Sequence, residues 1–147
     1  MSLLKFSNSN AKLGKKVFTI SLPSGYTCPG ALDCLSKADK NTGKITDGKQ
    51  TKFRCFSASQ EALFKAVRAS RWYNFDLIKQ HRKEERSIAN LLIDSIPKKA
   101  EIIRIHVAGD FFSQEYLDSW IYTAIAHPSI KFYFYTKSLP FWLNRID

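Results

Sequence analysis

Three short stretches of the chain alternate apolar and polar positions with a period of two. Residues 16–22 (KVFTISL) set Phe18, Ile20 and Leu22 against Val17, Thr19 and Ser21. Residues 101–107 (EIIRIHV) set Ile103, Ile105 and Val107 against Arg104 and His106, and residues 131–135 (KFYFY) set Phe132 and Phe134 against Tyr133 and Tyr135. That period predicts three strands, each with one apolar face; the other face carries Arg and His in the second strand and Tyr in the third. Between them the spacing becomes helical. Residues 57–96 contain no Gly or Pro, and Leu63, Val67, Ser70, Asn74, Ile78, Ile88 and Leu92 recur at helical intervals. Ser57 and Gln60 form a capping-box pattern at the start, and Pro97 marks the end. One long helix, or two broken near Arg82, would fit. A further helix is predicted over 114–126, capped by Ser113, with Leu117, Trp120, Ile121, Ala124 and Ile125 on one face.

The resulting order, strand, long loop, helix, strand, helix, strand, predicts an α/β fold. Its parallel sheet comprises about three βα units in a single domain over 1–147. Residues 1–14 are polar and read as irregular. Residues 23–56 read as one long loop, with Gly30, Gly43 and Gly48 and few apolar residues. Such a loop is usually functional or disordered. Ligands of parallel sheets sit at the carboxyl ends of the strands, and each strand here is followed by residues with chemistry to offer.

After the first strand comes Thr27-Cys28-Pro29-Gly30-Ala31-Leu32-Asp33-Cys34. Five residues separate Cys28 from Cys34, and twenty separate Cys34 from Cys55. These are the chain's only cysteines. Thiolates ligate zinc and iron–sulfur clusters, whereas free cysteines also serve as small buried hydrophobes. Their place in a polar loop favours metal. Three thiolates leave one position of a four-iron cluster open. Alternatively His106 or His81 would close a Cys3His zinc site, His106 being the better placed. After the second strand, Gly109 and Asp110 could receive a ligand's amine or hydroxyl, or simply make the turn. After the third, Lys137 and Ser138 could hold an anion.

The chain has 147 residues, a net charge of +10 and a high aromatic share, with eleven Phe, six Tyr and three Trp. The charge is concentrated early. Residues 1–56 hold ten Lys/Arg against three Asp, and residues 57–99 hold nine against five acids. Arg68, Arg71, Lys79, Arg82, Lys83 and Arg86, with Trp72 and Tyr73 among them, form a basic segment that could bind nucleic acid by charge and stacking. A solvated basic surface is the competing reading. Nothing resembles a membrane span or a signal peptide, so a cytoplasmic location is expected. There a structural disulfide is not expected.

The segments KVFTISLPSGYTCPGALDC, KFRCFSASQEALF, IRIHVAGDFFSQEYLDSW and FYFYTKSLPFW resemble an uncharacterised phage family, the gene product eighty-eight-like proteins. That resemblance implies a phage source and a host-cytoplasm location. A more distant similarity is to radical S-adenosylmethionine enzymes. It implies a truncated partial barrel, with Cys28, Cys34 and Cys55 binding a 4Fe-4S cluster. Gly109 and Asp110 would hold the cofactor's amino group, with His106 and Lys137 lining its pocket. In this picture the chain stops soon after the third strand. The tail at 141–147 would then expose Phe141, Trp142, Leu143 and Ile146, unless a partner or a second copy covers them. The expected function is therefore metal binding, most simply by an iron–sulfur cluster. The alternatives are a metal-stapled module that binds nucleic acid, and a metal-free protein-interaction domain.

Overall fold

The computed structural model describes residues 1–8, 12, 14–83 (for Lys83 the backbone only) and 87–146. In chain order the elements are β1 (Val17–Ile20), β2 (Ser36–Ala38), β3 (Ile45–Asp47), α1 (Phe56–Leu63), α2 (Lys65–Lys83), α3 (Ile88–Ser95), β4 (Ile102–Ile105), α4 (Gln114–Ala126), β5 (Lys131–Tyr133) and α5 (Leu139–Leu143). The chain is a mixed α/β protein. β1, β4 and β5 form a three-stranded parallel sheet in that order, and β2 and β3 form a separate antiparallel hairpin.

The register explains the two faces. Phe18, Ile103 and Phe132 lie side by side across the sheet, as do Thr19, Arg104 and Tyr133. The first row belongs to the hydrophobic core, where Ile20, Ile103 and Ile105 pack with Leu91, Leu92, Leu117 and Trp120 from α3 and α4. Thr19 and Arg104 of the second row line a cavity together with residues of α2 and the N-terminal segment. The predicted alternation therefore holds through Ile105. It fails at the next residue, because β4 ends there. His106 is 4 % exposed and lies in the core against Phe111 and Tyr116, whereas Val107 is exposed. The expectation that His106 shares a pocket wall with Arg104 is corrected accordingly.

Four other points refine the expectations. The described part of the N-terminal segment is irregular, as expected, but is held in place: Ser7 and Thr19 exchange backbone hydrogen bonds of 2.8 and 2.7 Å, and Asn74 brackets Lys5 from both its N–H and its carbonyl. The helical stretch divides into three, with its first break at Phe64, which is extended. Arg68 fills that break, donating to the carbonyls of Glu61 (2.7 Å) and Lys40 (3.1 Å). The first helix begins earlier than the capping box predicts. Its N-cap is Cys55, and no side chain caps it. Finally, Phe141 and Trp142 are half-buried by their own chain. Trp142 stacks on Phe134 with ring centroids 4.5 Å apart, and the Phe141 carbonyl accepts a hydrogen bond from Gln114. Their expected cover by a partner is not needed, although Leu143 and Ile146 stay exposed.

A buried ion pair fixes the start of the long loop. Glu61, fully buried, accepts from Arg71 at 2.8 Å and from both the N–H and the hydroxyl of Ser24. Removing one member of such a pair strands the other in low dielectric, which costs about 3–5 kcal/mol. Glu61→Ala should therefore lower the unfolding free energy in urea by about that amount. Lys16→Ala, which breaks an exposed pair with Glu101, should cost about 1 kcal/mol or less.

Candidate metal centre at the sheet rim

The carboxyl ends of all three parallel strands meet at Asp110. Its Oδ1 accepts from the Phe111 N–H at 2.7 Å and from the Thr136 hydroxyl at 2.5 Å, and its Oδ2 accepts from the Lys137 N–H at 2.8 Å. Its own N–H donates to the Thr27 hydroxyl, which in turn donates to the Pro23 carbonyl at 2.8 Å. One buried residue thus joins the loops after β1, β4 and β5. Gly109 makes the approach feasible. It adopts φ +82°, where L side chains are strained, and a Cβ there would lie 2.6 Å from the Thr27 hydroxyl and 2.8 Å from Leu22. Gly30 packs as closely, with its face against the Lys137 carbonyl.

This interlocking brings Lys137 to Cys34 and sets the position of Thr27, which precedes Cys28. All three cysteines are free thiols and all are half-buried. Cys28 follows a tight turn in which its Sγ accepts from the Gly25 N–H at 3.4 Å. Burial pushes its thiol up to about 11, with charge on Asp110 and Cys55 adding and the Gly25 bond opposing. Cys34 lies 3.2 Å from the Lys137 ammonium. That contact, with the charges of Cys34, Asp33 and Cys55, raises the Lys137 pKa. Cys55 is anchored through its N–H to the Ser36 hydroxyl in β2. Lys137 thus contacts Cys34 directly. Among the described residues, no three His, Cys, Asp or Glu side chains form a group that could hold a metal ion.

The other candidates are placed differently. Gly109 and Asp110 are engaged in closing the rim. The His106 Nε2 lies 2.7 Å from the Tyr116 hydroxyl, and the His81 Nδ1 lies 3.0 Å from the Leu77 carbonyl. Of the basic segment, Arg68 and Arg71 are buried in structural contacts. Trp72 is buried between Tyr26 and Phe75, Lys79 pairs with Asp76, and Arg82 pairs with Glu115. The Lys83 side chain and Arg86 lie outside the described residues. A continuous charged face with stacking aromatics is not what α2 presents in the rest. Sequence reasoning missed Glu61 and Thr27. Glu61 does carry a visible signal: it is the only acid between Asp47 and Asp76. No helix among the described residues is long and apolar enough to cross a membrane.

Comparison with known proteins gives a consistent family. A family model described as Gene product 88 matches residues 2–147. The Gene 88 protein of Mycobacterium phage L5 is 27% identical over 128 residues, covering 81% of this chain and 47% of the relative. The Gene 88 protein of Mycobacterium phage D29 matches with the same identity and coverage. The chain spans about half the length of the curated relatives it matches. No solved structure matches.

Two measurements follow from the rim and its neighbour. In the metal-free chain Cys28 should alkylate slowly at pH 8, and its rate should keep climbing toward pH 11 as the thiol ionises. Mass mapping of iodoacetamide adducts checks this. Burial also pushes His106 down to about 3. An unfolded His titrates near 6.5, so the buried neutral ring contributes stability in full above about pH 6.5. That contribution is lost as pH falls toward 3, at up to about 1.4 kcal/mol per pH unit. Urea midpoints should fall over that window in the native chain and fall less steeply in His106→Gln.

Proposed function

We propose a metal-binding function for this chain, which belongs to the gene product 88 family: Cys28, Cys34 and Cys55 bind an iron–sulfur cluster at the carboxyl rim of the sheet. What supports the reading is that the Lys137 ammonium lies 3.2 Å from the Cys34 thiol, while Cys28 follows Thr27, which the Asp110 N–H holds at the same rim. Asp110 fixes the loops that carry Cys28 and Lys137. Thiolates are the donors such clusters use, and each cysteine would hold a different iron. The Lys137 ammonium would offset part of the negative charge of the ligand set. Cys28 must give up a proton to ligate, and its burial opposes this, so affinity should rise with pH. Zinc is the alternative occupant. It would require the three sulfurs to close on one ion at about 2.3 Å each, a tighter triangle than a cluster needs.

The proposal is one of binding and assigns no reaction. The amino-group turn of radical S-adenosylmethionine enzymes would need Gly109 and Asp110 free, and here both hold the rim together. Neither does the reading include nucleic acid, since Arg68 and Arg71 serve the fold.

Anaerobic reconstitution with ferrous iron and sulfide, followed by desalting and analysis of iron, acid-labile sulfide and zinc, tests the proposal. The native chain should retain iron and sulfide together and gain visible absorbance. The triple variant Cys28→Ala, Cys34→Ala, Cys55→Ala should retain neither, while keeping a cooperative urea transition. Equal retention by native and triple variant, or none by the native chain, would contradict the proposal. Stoichiometric zinc without iron would transfer the site to the alternative.

A further inference from the structure

The polar face of the sheet carries a feature the cysteine rim does not use. A cavity of about 520 Å³ lies between that face and α2. Its floor includes Thr19, Ser21 and Arg104, its far wall Val67, Ser70 and Asn74, and its mouth the N-terminal segment with Lys5 and Ser7. The volume falls within the range of small-molecule sites. The lining mixes apolar surface, from Phe6, Val67 and Val107, with hydroxyls, amides and three cations, Lys5, Arg71 and Arg104, and it includes no Asp or Glu.

The cations differ in what they have to offer. Arg71 is already paired with Glu61 behind the wall. Lys5 lies over the Tyr73 ring at 4.4 Å and is exposed at the mouth. Arg104 sits centrally, on the middle strand of the sheet. Its Nε is buried and has no hydrogen-bond partner among the described residues, and its contact is with the face of Tyr135. A buried donor on a fixed positive charge, in a cavity without a carboxylate, is costly unless something accepts from it. A planar guanidinium with free donors matches a carboxylate or a phosphate in two-point geometry.

We propose that this cavity binds a small organic anion whose phosphate or carboxylate group is received by Arg104. Lys5 adds charge at the mouth, and the hydroxyls of Thr19, Ser21 and Ser70 supply further hydrogen bonds. Phe6, Val67 and Val107 take the ligand's apolar part. The site is separate from the cysteine set, so the proposal stands whether or not the rim binds metal.

Titration calorimetry with two probes, pyrophosphate and citrate, tests it at low ionic strength on the full chain. Saturable binding of either supports the proposal. Binding of pyrophosphate alone identifies phosphate as the group received, and binding of citrate alone identifies carboxylate. Arg104→Gln should weaken the binding roughly tenfold or more, the loss expected of a charge-assisted hydrogen bond. Arg145→Gln, which breaks the exposed pair with Asp118, should leave it unchanged. Should Arg104→Gln fail to fold, Arg104→Lys keeps the charge but not the fork, and should still weaken binding several-fold. Absence of saturable binding by both probes, or equal affinity in the native chain and the Arg104 variant, would overturn the proposal.

Discussion

The Asp110 carboxylate is the constraint on which the rim depends. Parallel strands end in loops that have no reason of their own to stay together, because their backbone groups have left the ladder. Here one buried carboxylate takes the N–H of Phe111, the hydroxyl of Thr136 and the N–H of Lys137, while the Asp110 N–H reaches Thr27. Hydrogen bonds to a charged acceptor are stronger than neutral ones, and several on one group make the arrangement mutually dependent. The Thr27 bond sets where Cys28 begins, and the Lys137 bond sets where the ammonium beside Cys34 begins. The cysteine-bearing loop is ordered from outside, by the sheet it rests on.

A second buried charge works at the other side of that loop. Glu61 holds Ser24 and is itself held by Arg71, while Arg68 bonds the carbonyls left open where α1 gives way to α2. Between them the Glu61 carboxylate and the Asp110 N–H fix residues 24 and 27, the ends of the turn that leads into Cys28. Two of the basic residues that look like a nucleic-acid face in the sequence, Arg68 and Arg71, serve this arrangement. Burial of an arginine with a full set of partners is a structural use of charge, and it leaves less for the surface.

The parts of the fold legible in the sequence are those set by short-range periodicity. The three parallel strands show as alternation, and the apolar row of Phe18, Ile103 and Phe132 could be read directly. The α4 helix shows through its Ser113 cap, whose side chain accepts from the Tyr116 N–H. What could not be read depends on contacts between distant residues. The break at Phe64 sits beside Arg68, which bonds Lys40 across 28 positions, a contact no local pattern shows. The β2–β3 hairpin is too short to show a period. His106 leaves its expected face because β4 ends one residue before it. At the site, the expectation that the three cysteines share one rim comes from topology, and the structure brings Lys137 of the loop after β5 to Cys34. The role of Asp110 as the closing acceptor was not legible, because a Gly-Asp pair after a strand looks the same whether it awaits a ligand or binds its own chain.

Amide hydrogen exchange at Phe111 and Lys137 tests the central claim most directly. The account predicts that both amides are protected in the native chain to nearly the level of the β4 core. In Asp110→Ala both should lose protection together while α4 keeps its own. Free exchange of the Lys137 amide in the native chain, at the rate of an open loop, would contradict it.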